Sequence, residues 1–347
     1  MGDGRNKQRE PNPFKIIVKN NLQYWIRRYP WEKMPDVAEL AVEKENIIKA
    51  IQTGIRFKSV YYLAVHLLFI STDIMLHVGT HHQWARLIEQ ALERCPANGA
   101  HLRRRLQLCQ AKHLFLDEEF EKLNIKLTEW AGWAEKDQDA DLLWEFKYLL
   151  GMVRCELDNF EEAQECVDDI VLISESFTLL NPHLCKGKIA TLGAKIAVSQ
   201  QHLEQSTYLL DLALHHLQKC GADFYLAIAL QLSGLFYEKQ QKFDAALVSY
   251  RQAVELIPEG FSFELRSSLQ ASTARIYLIK KQVDLAQSML EEMDFGMMRI
   301  WGCHHIHLEA VLLLSDVMRM KGANDQADLI LESVETLRAE LSESTKQ

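Results

Sequence analysis

The sequence predicts an all-α fold, an α-solenoid of about seven helical hairpins with a period near 40 residues. Three observations support this fold class. Only 7 prolines and 15 glycines occur in 347 residues, and such a scarcity of breakers favours helices over strands. A two-helix apolar pattern recurs along the chain. Turn signals such as Pro96-Ala97-Asn98-Gly99 and Gly322-Ala323-Asn324 separate many of its copies.

The clearest hairpin is LQLSGLFYEKQQKFDAALVSYRQAVELIPEG, residues 230–260. Gly234 and Tyr237 fall on its first helix, Ala246 and Tyr250 on its second, and Pro258 ends the pair. The small residues let the two helices approach closely, while the tyrosines fill the adjoining grooves. This pattern resembles the tetratricopeptide repeat (TPR), which implies a right-handed α-solenoid whose concave face, lined by the first helices, binds partners.

The alanine of the second helix sets the register for the other hairpins. Its equivalents are Leu87, Leu123, Ala163, Ser206, Ala246, Ala286 and Ala327. Since each hairpin buries its apolar face against its neighbours, we predict one TPR-like domain over residues 35–340. A leader with a short helix, residues 1–34, precedes this domain, and we expect most of that leader to be solvated. A flexible tail, residues 341–347, follows it.

Residues 36–92 carry a narrower resemblance. The residues concerned are Glu43, Asn46, Ala50, Ile51, Gly79, Trp84 and Leu87. They resemble the start of the sensor region in bacterial STAND-type signalling ATPases, which implies a sensor or adaptor role in bacterial signalling. The sequence lacks the G-x-x-x-x-G-K-[ST] loop that cradles phosphates. We therefore expect no ATP hydrolysis by this chain and interpret it as a non-enzyme.

Charge and cysteine usage exclude several classes of protein. A net charge of −9 disfavours binding to nucleic acid. The seven cysteines are scattered without a CxxC pair, so we expect reduced thiols and a cytoplasmic location. The most apolar stretch, residues 60–78, contains His66, Asp73 and His77. A charge at the middle of a bilayer costs about 2.5–3.5 kcal/mol, so we predict a helix buried in protein and no membrane contact.

The stretch WGCHHIHLEA, residues 301–310, places Cys303, His304, His305 and His307 within five positions. A structural zinc site needs four ligands, and the H-E-x-x-H pattern is absent. Polar residues are common at helix starts, where they satisfy free backbone groups. We interpret the stretch as an ordinary helix start and predict neither metal nor cofactor. A metal-dependent enzyme that uses this cluster is the less favoured alternative.

The repeat register predicts which side chains of the first helices line the concave face. These partner-binding candidates are Arg105, Lys112, Tyr148, Met152, Lys188, Lys195, Gln231, Leu235, Arg275 and Arg319. Lys112, Lys195 and Arg275 occupy one register position in three hairpins. Such a basic row would suit a protein or peptide that carries carboxylates. The alternative is that these cations are solvated and bind nothing.

Two functional hypotheses follow besides the enzyme. The first is a non-catalytic scaffold that binds a protein or peptide segment on its concave face. The second is a peptide-responsive regulator that resembles the quorum-peptide receptors of Gram-positive bacteria. A DNA-binding version of that regulator would need an N-terminal helix-turn-helix, and residues 1–35 are too short for one. The sequence allows a homo-oligomer in either case.

Overall fold

A computed structural model describes residues 13–29, 37–258, 260–300, 304–332 and 334, and within these residues the chain is helical without strands. The first eight helices are α1 Pro13–Arg28, α2 Val37–Gly54, α3 Tyr61–Met75, α4 His81–Glu93, α5 Ala100–Leu116, α6 Phe120–Lys136, α7 Ala140–Glu156 and α8 Phe160–Ser176. The next eight are α9 Pro182–Ser199, α10 Leu203–Cys220, α11 Asp223–Lys239, α12 Phe243–Glu255, α13 Phe263–Ile279, α14 Val283–Glu291, α15 Phe295–Ile300 and α16 His304–Met320. Residues 324–332 are helical as well.

The helices form two layers. The inner helices are α3, α5, α7, α9, α11, α13 and α16, and each packs against the next in this order. Burial distinguishes them from the outer helices: twelve of the 18 residues of α9 are buried, against four of the 18 residues of α10. A helix that is buried on all sides belongs to an inner layer. The prediction of an all-α solenoid is confirmed, while the number of hairpins and the length of the repeat stay predictions.

The residues that mark the register lie where the pattern places them. All seven, from Leu87 to Ala327, are buried on the second helix of a hairpin. The close approach predicted at Gly234 is also present, since a Cβ at this position would lie 2.1 Å from Cε1 of Tyr250. The small residue and the large ring therefore fit together as a pair.

A left-handed residue ends many of the inner helices. Gln201, Gln241 and Lys281 have φ values of 62°, 59° and 59°. After each of them, the next backbone N–H donates to the carbonyl five residues earlier, as Lys242 does to Tyr237 at 2.9 Å. This bond pattern satisfies carbonyl groups at the helix end and reverses the chain within two residues. The outer helix can therefore start at once.

Helix α1 belongs to the core although it lies in the predicted leader. Its residues Val18, Leu22 and Trp25 are buried, and the helix packs against α2 and α3. The expectation of a solvated segment is therefore wrong for this face of α1, because its apolar side chains recur at helical spacing. The boundaries predicted for the leader and domain stay predictions, and the tail at 341–347 lies outside the described residues.

Helix α3 is buried in protein, as predicted for residues 60–78. Leu67 and Leu68 are fully buried in its middle. Across the ranges that the structure describes, no helix combines the length and apolar character needed to cross a membrane.

The superhelix closes on itself. The backbone N–H of Ser262, just before α13, donates to the carbonyl of His77, just after α3, at 2.8 Å. The His77 ring lies 4.6 Å from the ring of Phe224 and 5.6 Å from that of Phe261, measured between centroids. The end of α3 thus contacts the starts of α11 and α13, so that successive superhelical turns touch.

Candidate functional site

Four charged side chains of alternating sign follow one another across the inner helices α3, α5, α7 and α9. Lys112 Nζ lies 2.5 Å from Asp73 Oδ1 and 3.6 Å from Glu145 Oε2. Lys188 Nζ lies 3.0 Å from Glu145 Oε2 and 3.2 Å from Glu145 Oε1. Each charge therefore has an opposite charge from a neighbouring helix, which is what buried ions require.

Three aromatic rings enclose the ammonium of Lys188. Its Nζ lies 4.3 Å from the ring centroid of Tyr148, 4.6 Å from that of Tyr225 and 5.0 Å from that of Trp144. The side chain is only 2% exposed. The faces of aromatic rings attract cations, and this attraction is stronger where water is excluded. The rings and Glu145 together offset the cost of removing Lys188 from water.

Tyr225 extends these contacts to a fifth helix, α11. Its phenolic hydroxyl donates to Asp73 Oδ2 at 3.2 Å, although 152 residues separate the two. We call Asp73, Lys112, Glu145, Lys188 and Tyr225 the inner charge network. Since α3 and α11 belong to successive superhelical turns, the network lies where the superhelix closes.

Burial and charge pairing oppose each other in this network. Burial acts to raise the pKa of Asp73, but Lys112 and Lys188 outweigh it and hold that pKa below its usual value. Burial likewise acts against the charged form of Lys112, yet Asp73 and Glu145 raise the pKa of this lysine. For Lys188, burial lowers the pKa and Glu145 offsets this only in part. The network therefore holds Asp73 and Lys112 as a firmly ionised pair.

A second group of charges joins α11, α13 and α16. The Arg275 guanidinium donates to Glu238 Oε1 at 2.6 Å and to Glu238 Oε2 at 3.1 Å, and it also contacts Glu309. The hydroxyl of Tyr250 donates to Glu238 Oε2 at 2.9 Å. Burial acts to lower the pKa of Arg275, but the two carboxylates raise it. This arginine connects three consecutive inner helices.

The predicted basic row is compensated within the chain. Lys112 pairs with Asp73 and Glu145, Arg275 pairs with Glu238 and Glu309, and Lys195 contacts Glu156. The row was predicted to offer positive charge to a partner's carboxylates, and the structure provides those carboxylates itself. The physical reason is that charges facing the inside of a closed superhelix are partly desolvated and therefore need partners.

Of the predicted partner-binding residues, Lys112, Tyr148 and Lys188 come together in and around the inner charge network. The others lie on the inner helices α5, α7, α9, α11, α13 and α16, apart from the network. The Arg105 guanidinium lies 5.3 Å from the ring centroid of Phe69, and the Gln231 amide donates to Ser268 Oγ at 2.8 Å. The role of all these residues in binding a partner stays a prediction.

The remaining predicted residues are in varied surroundings. Met152 and Leu235 are partly buried and pack against the hydrophobic core. Arg319 is half exposed, and its guanidinium lies 3.6 Å from Asp328 Oδ1. A partner on the inner face would therefore meet both apolar and polar groups.

Four residues in and around the inner charge network were not among the predicted ones: Asp73, Glu145, Trp144 and Tyr225. Two of them had a signal in the sequence. Asp73 and Glu145 are lone acidic residues within apolar runs, and a charge in such a run indicates a buried partner. Tyr225 has no comparable signal, because its partner lies four hairpins earlier in the chain.

The histidines of the last inner helix point to different neighbours. Cys303 lies outside the described residues, as does the side chain of His304. His305 Nδ1 lies 2.5 Å from Glu118 Oε1, whereas the His307 ring packs against Phe295 at 5.5 Å between centroids. In the part of the chain that the structure describes, no three or more His, Cys, Asp or Glu side chains are placed to hold a metal ion. The interpretation of this stretch as an ordinary helix start stays a prediction.

Comparison with known proteins confirms the repeat. Residues 227–259 match the family model of the tetratricopeptide repeat, which overlaps the hairpin identified at residues 230–260. No curated protein matches the sequence.

Several solved structures have a similar fold. A STAND protein with a tetratricopeptide repeat sensor from Pyrococcus horikoshii is 14% identical, with a TM-score of 0.60 over 98% of this chain and 55% of that chain. A Rap protein complexed with Competence and Sporulation Factor is 11% identical, with a TM-score of 0.58 over 94% of this chain and 99% of that chain. BtubC from P. vanneervenii is 17% identical, with a TM-score of 0.53 over 65% of this chain and 92% of that chain. These likenesses are of fold, and this chain spans about half the length of the STAND protein.

Proposed function

We propose that this chain is a non-catalytic helical-repeat scaffold that binds a protein or peptide segment on its inner face, as a sensor or adaptor in bacterial signalling in the cytoplasm. The observation that supports it most is the layering of the helices. The inner helices pack against one another in series, and the outer helices lie against them. Extended surfaces of this kind are what α-solenoids use for recognition.

Polar groups along the inner helices suit a peptide backbone. The half-buried Arg105, Gln231 and Ser268 supply donors and acceptors that can pair with main-chain groups. Apolar Met152 and Leu235 lie on the same helices and can receive side chains. Because the basic row is compensated, we propose a partner without a strong excess of carboxylates, in place of the acidic partner that the row suggested.

The test is capture of a partner from bacterial lysate by matched variants. Arg105→Glu combined with Gln231→Glu changes the inner face, whereas Arg251→Glu combined with Gln252→Glu makes the same changes on the exposed side of α12. We expect the wild type and the α12 variant to capture the same partner, and the inner-face variant to lose it while keeping its circular dichroism spectrum. A partner that the inner-face variant retains would place binding elsewhere and refute the proposal.

A second candidate is a peptide-responsive regulator. The observation in its favour is the extent of the match with the Rap protein, which covers 94% of this chain and 99% of that chain. Mass spectrometry of the eluted partner without digestion separates the two candidates. A short peptide would favour the regulator, whereas an intact protein would favour the sensor or adaptor.

A further inference from the structure

A second contact between superhelical turns contains ionisable side chains only. His305, in the first turn of α16, places Nδ1 2.5 Å from Oε1 of Glu118, in the turn between α5 and α6. Helix α16 and this turn lie far apart in the sequence, so this contact helps to hold one superhelical turn against the next. We call His305, Glu118, Glu264, Glu156 and Lys195 the clasp.

Glu264 is the residue of the clasp without a partner of its own. It lies in the first turn of α13, partly buried, and no described residue forms a hydrogen bond or ion pair with its carboxylate. The charges that act on it are His305 of α16, Glu118 of the α5–α6 turn and Glu156 at the end of α7. Glu156 is itself in contact with Lys195 near the end of α9. Charges from three other segments of the chain therefore act on this one carboxylate.

Two protons decide the charge balance of the clasp. When Glu264 and His305 are both protonated, two carboxylates face two cations. When both have lost their protons, three carboxylates face Lys195 alone. The change adds two negative charges at a joint between superhelical turns, where like charges repel.

We propose that the clasp is a pH-sensitive switch, which holds the superhelical turns together when Glu264 and His305 are protonated and loosens as both lose their protons. Loosening would widen access to the inner face. The inference concerns closure of the superhelix, and it holds whether or not a partner binds there.

The direction of the pKa shifts agrees with this geometry. The pKa of Glu264 is raised to about 7, chiefly by burial; His305 opposes this increase, and Glu118 and Glu156 add to it. The hydrogen bond to Glu118 raises the pKa of His305, although burial opposes it. The closed state therefore binds more protons than an open state, so closure is favoured at low pH. Closure weakens as the pH rises from the usual pKa of a carboxyl group to about 7. It weakens further at the pH where His305 loses its proton.

Hydrogen exchange of the full chain tests the switch. Protection of residues 115–120 and 305–310 is measured at pH 6 and pH 8 and corrected for the intrinsic dependence of exchange on pH. We expect wild-type protection to fall by roughly tenfold at pH 8, because each pKa unit between the two states is a tenfold change in their equilibrium. Glu264→Gln, which cannot ionise, should keep most of that protection.

Two further variants make the outcome decisive. Glu89→Gln removes an exposed carboxylate on the outer helix α4. Its protection should fall between pH 6 and pH 8 as that of the wild type does. His305→Gln lacks the imidazolium and should be poorly protected at both pH values. The proposal is overturned if wild-type protection is the same at pH 6 and pH 8. It is also overturned if the protection of Glu264→Gln falls as steeply as that of the wild type.

Discussion

The phenolic oxygen of Tyr225 lies 3.2 Å from Oδ2 of Asp73, and this hydrogen bond joins two helices that are four hairpins apart along the chain. The same carboxylate accepts from Lys112 through its other oxygen at 2.5 Å. Asp73 of α3 therefore connects the neighbouring helix α5, through Lys112, to helix α11, through Tyr225.

Glu145→Gln should destabilise the protein by about 3 kcal/mol. Lys112 would keep Asp73 as its partner, but Lys188, whose side chain is 2% exposed, would lose its only carboxylate contact among the described residues. Breaking a buried pair on one side typically costs about 3–5 kcal/mol, whereas replacing both partners by uncharged groups is often close to neutral. The double variant Glu145→Gln/Lys188→Met should therefore regain most of the lost free energy of unfolding in urea titrations.

Asp244→Asn is the matched control for that acid-to-amide change. Asp244 pairs with Lys280 but is 89% exposed, and exposed pairs contribute about 1 kcal/mol or less. If Glu145→Gln costs no more than Asp244→Asn, the inner charge network contributes nothing to stability and the interpretation of its geometry is wrong.

Tyr225→Phe should weaken the contact between superhelical turns without changing the packing of the ring. A hydrogen bond to a charged group contributes about 1.5–3 kcal/mol, and this one joins α11 to the end of α3. Amide hydrogen exchange at residues 70–78 should therefore become faster in the variant. Tyr208→Phe removes a hydroxyl from a side chain that is 66% exposed on α10 and should leave this exchange unchanged. Equal exchange in both variants would contradict the role of Tyr225 in closure.

Gly234→Ala should destabilise the protein although alanine is the better helix former. The new Cβ would lie 2.1 Å from Cε1 and 2.5 Å from Cδ1 of Tyr250, and overpacking of this kind costs about 1–3 kcal/mol. Gly132→Ala is the opposite case, because nothing lies within 4 Å of its added Cβ in α6. That substitution should stabilise the protein by up to about 1 kcal/mol. Melting temperatures of the two variants should therefore shift in opposite directions, and a shared direction would contradict the close approach at Gly234.

Acid should destabilise the protein through the partly buried His77. Burial lowers the pKa of His77 to about 4, with Asp73 opposing and His81 and Lys112 adding to the decrease. An unfolded chain binds a proton at this residue from about pH 6.5 downward. The contribution of neutral His77 to stability is therefore present above pH 6.5 and is lost as the pH falls to about 4.

The loss from His77 should amount to as much as about 3 kcal/mol, since each pKa unit corresponds to 1.36 kcal/mol. Urea titrations between pH 7 and pH 4 measure it, and His77→Gln should show a flatter decline over that range. Glu264 acts with the opposite sign, so the comparison is best made in a Glu264→Gln background. If the free energy of unfolding of His77→Gln declines as steeply as that of its parent, His77 is not the titrating group.

The features that the sequence predicted correctly depend on interactions between residues close together in the chain. Hairpins, their register and the small residue at Gly234 follow from helical spacing within about 40 residues, and these features are confirmed at Gly234, Tyr250 and the buried marker positions. Lone charges in apolar runs also contained information about Asp73 and Glu145. Their partners were not predictable, because ion pairs between inner helices depend on how each hairpin is rotated against the next.

By itself, then, the sequence determined the helical hairpins and the small and large residues that pack between their two helices. Only the tertiary structure decided that Lys112, Lys195 and Arg275 are compensated within the chain, and that Asp73 meets Tyr225. The physical reason is the accumulation of a small rotation at every hairpin. A pattern with a period of 3.6 residues specifies each helix face, but four such rotations in series decide which faces meet when the superhelix closes.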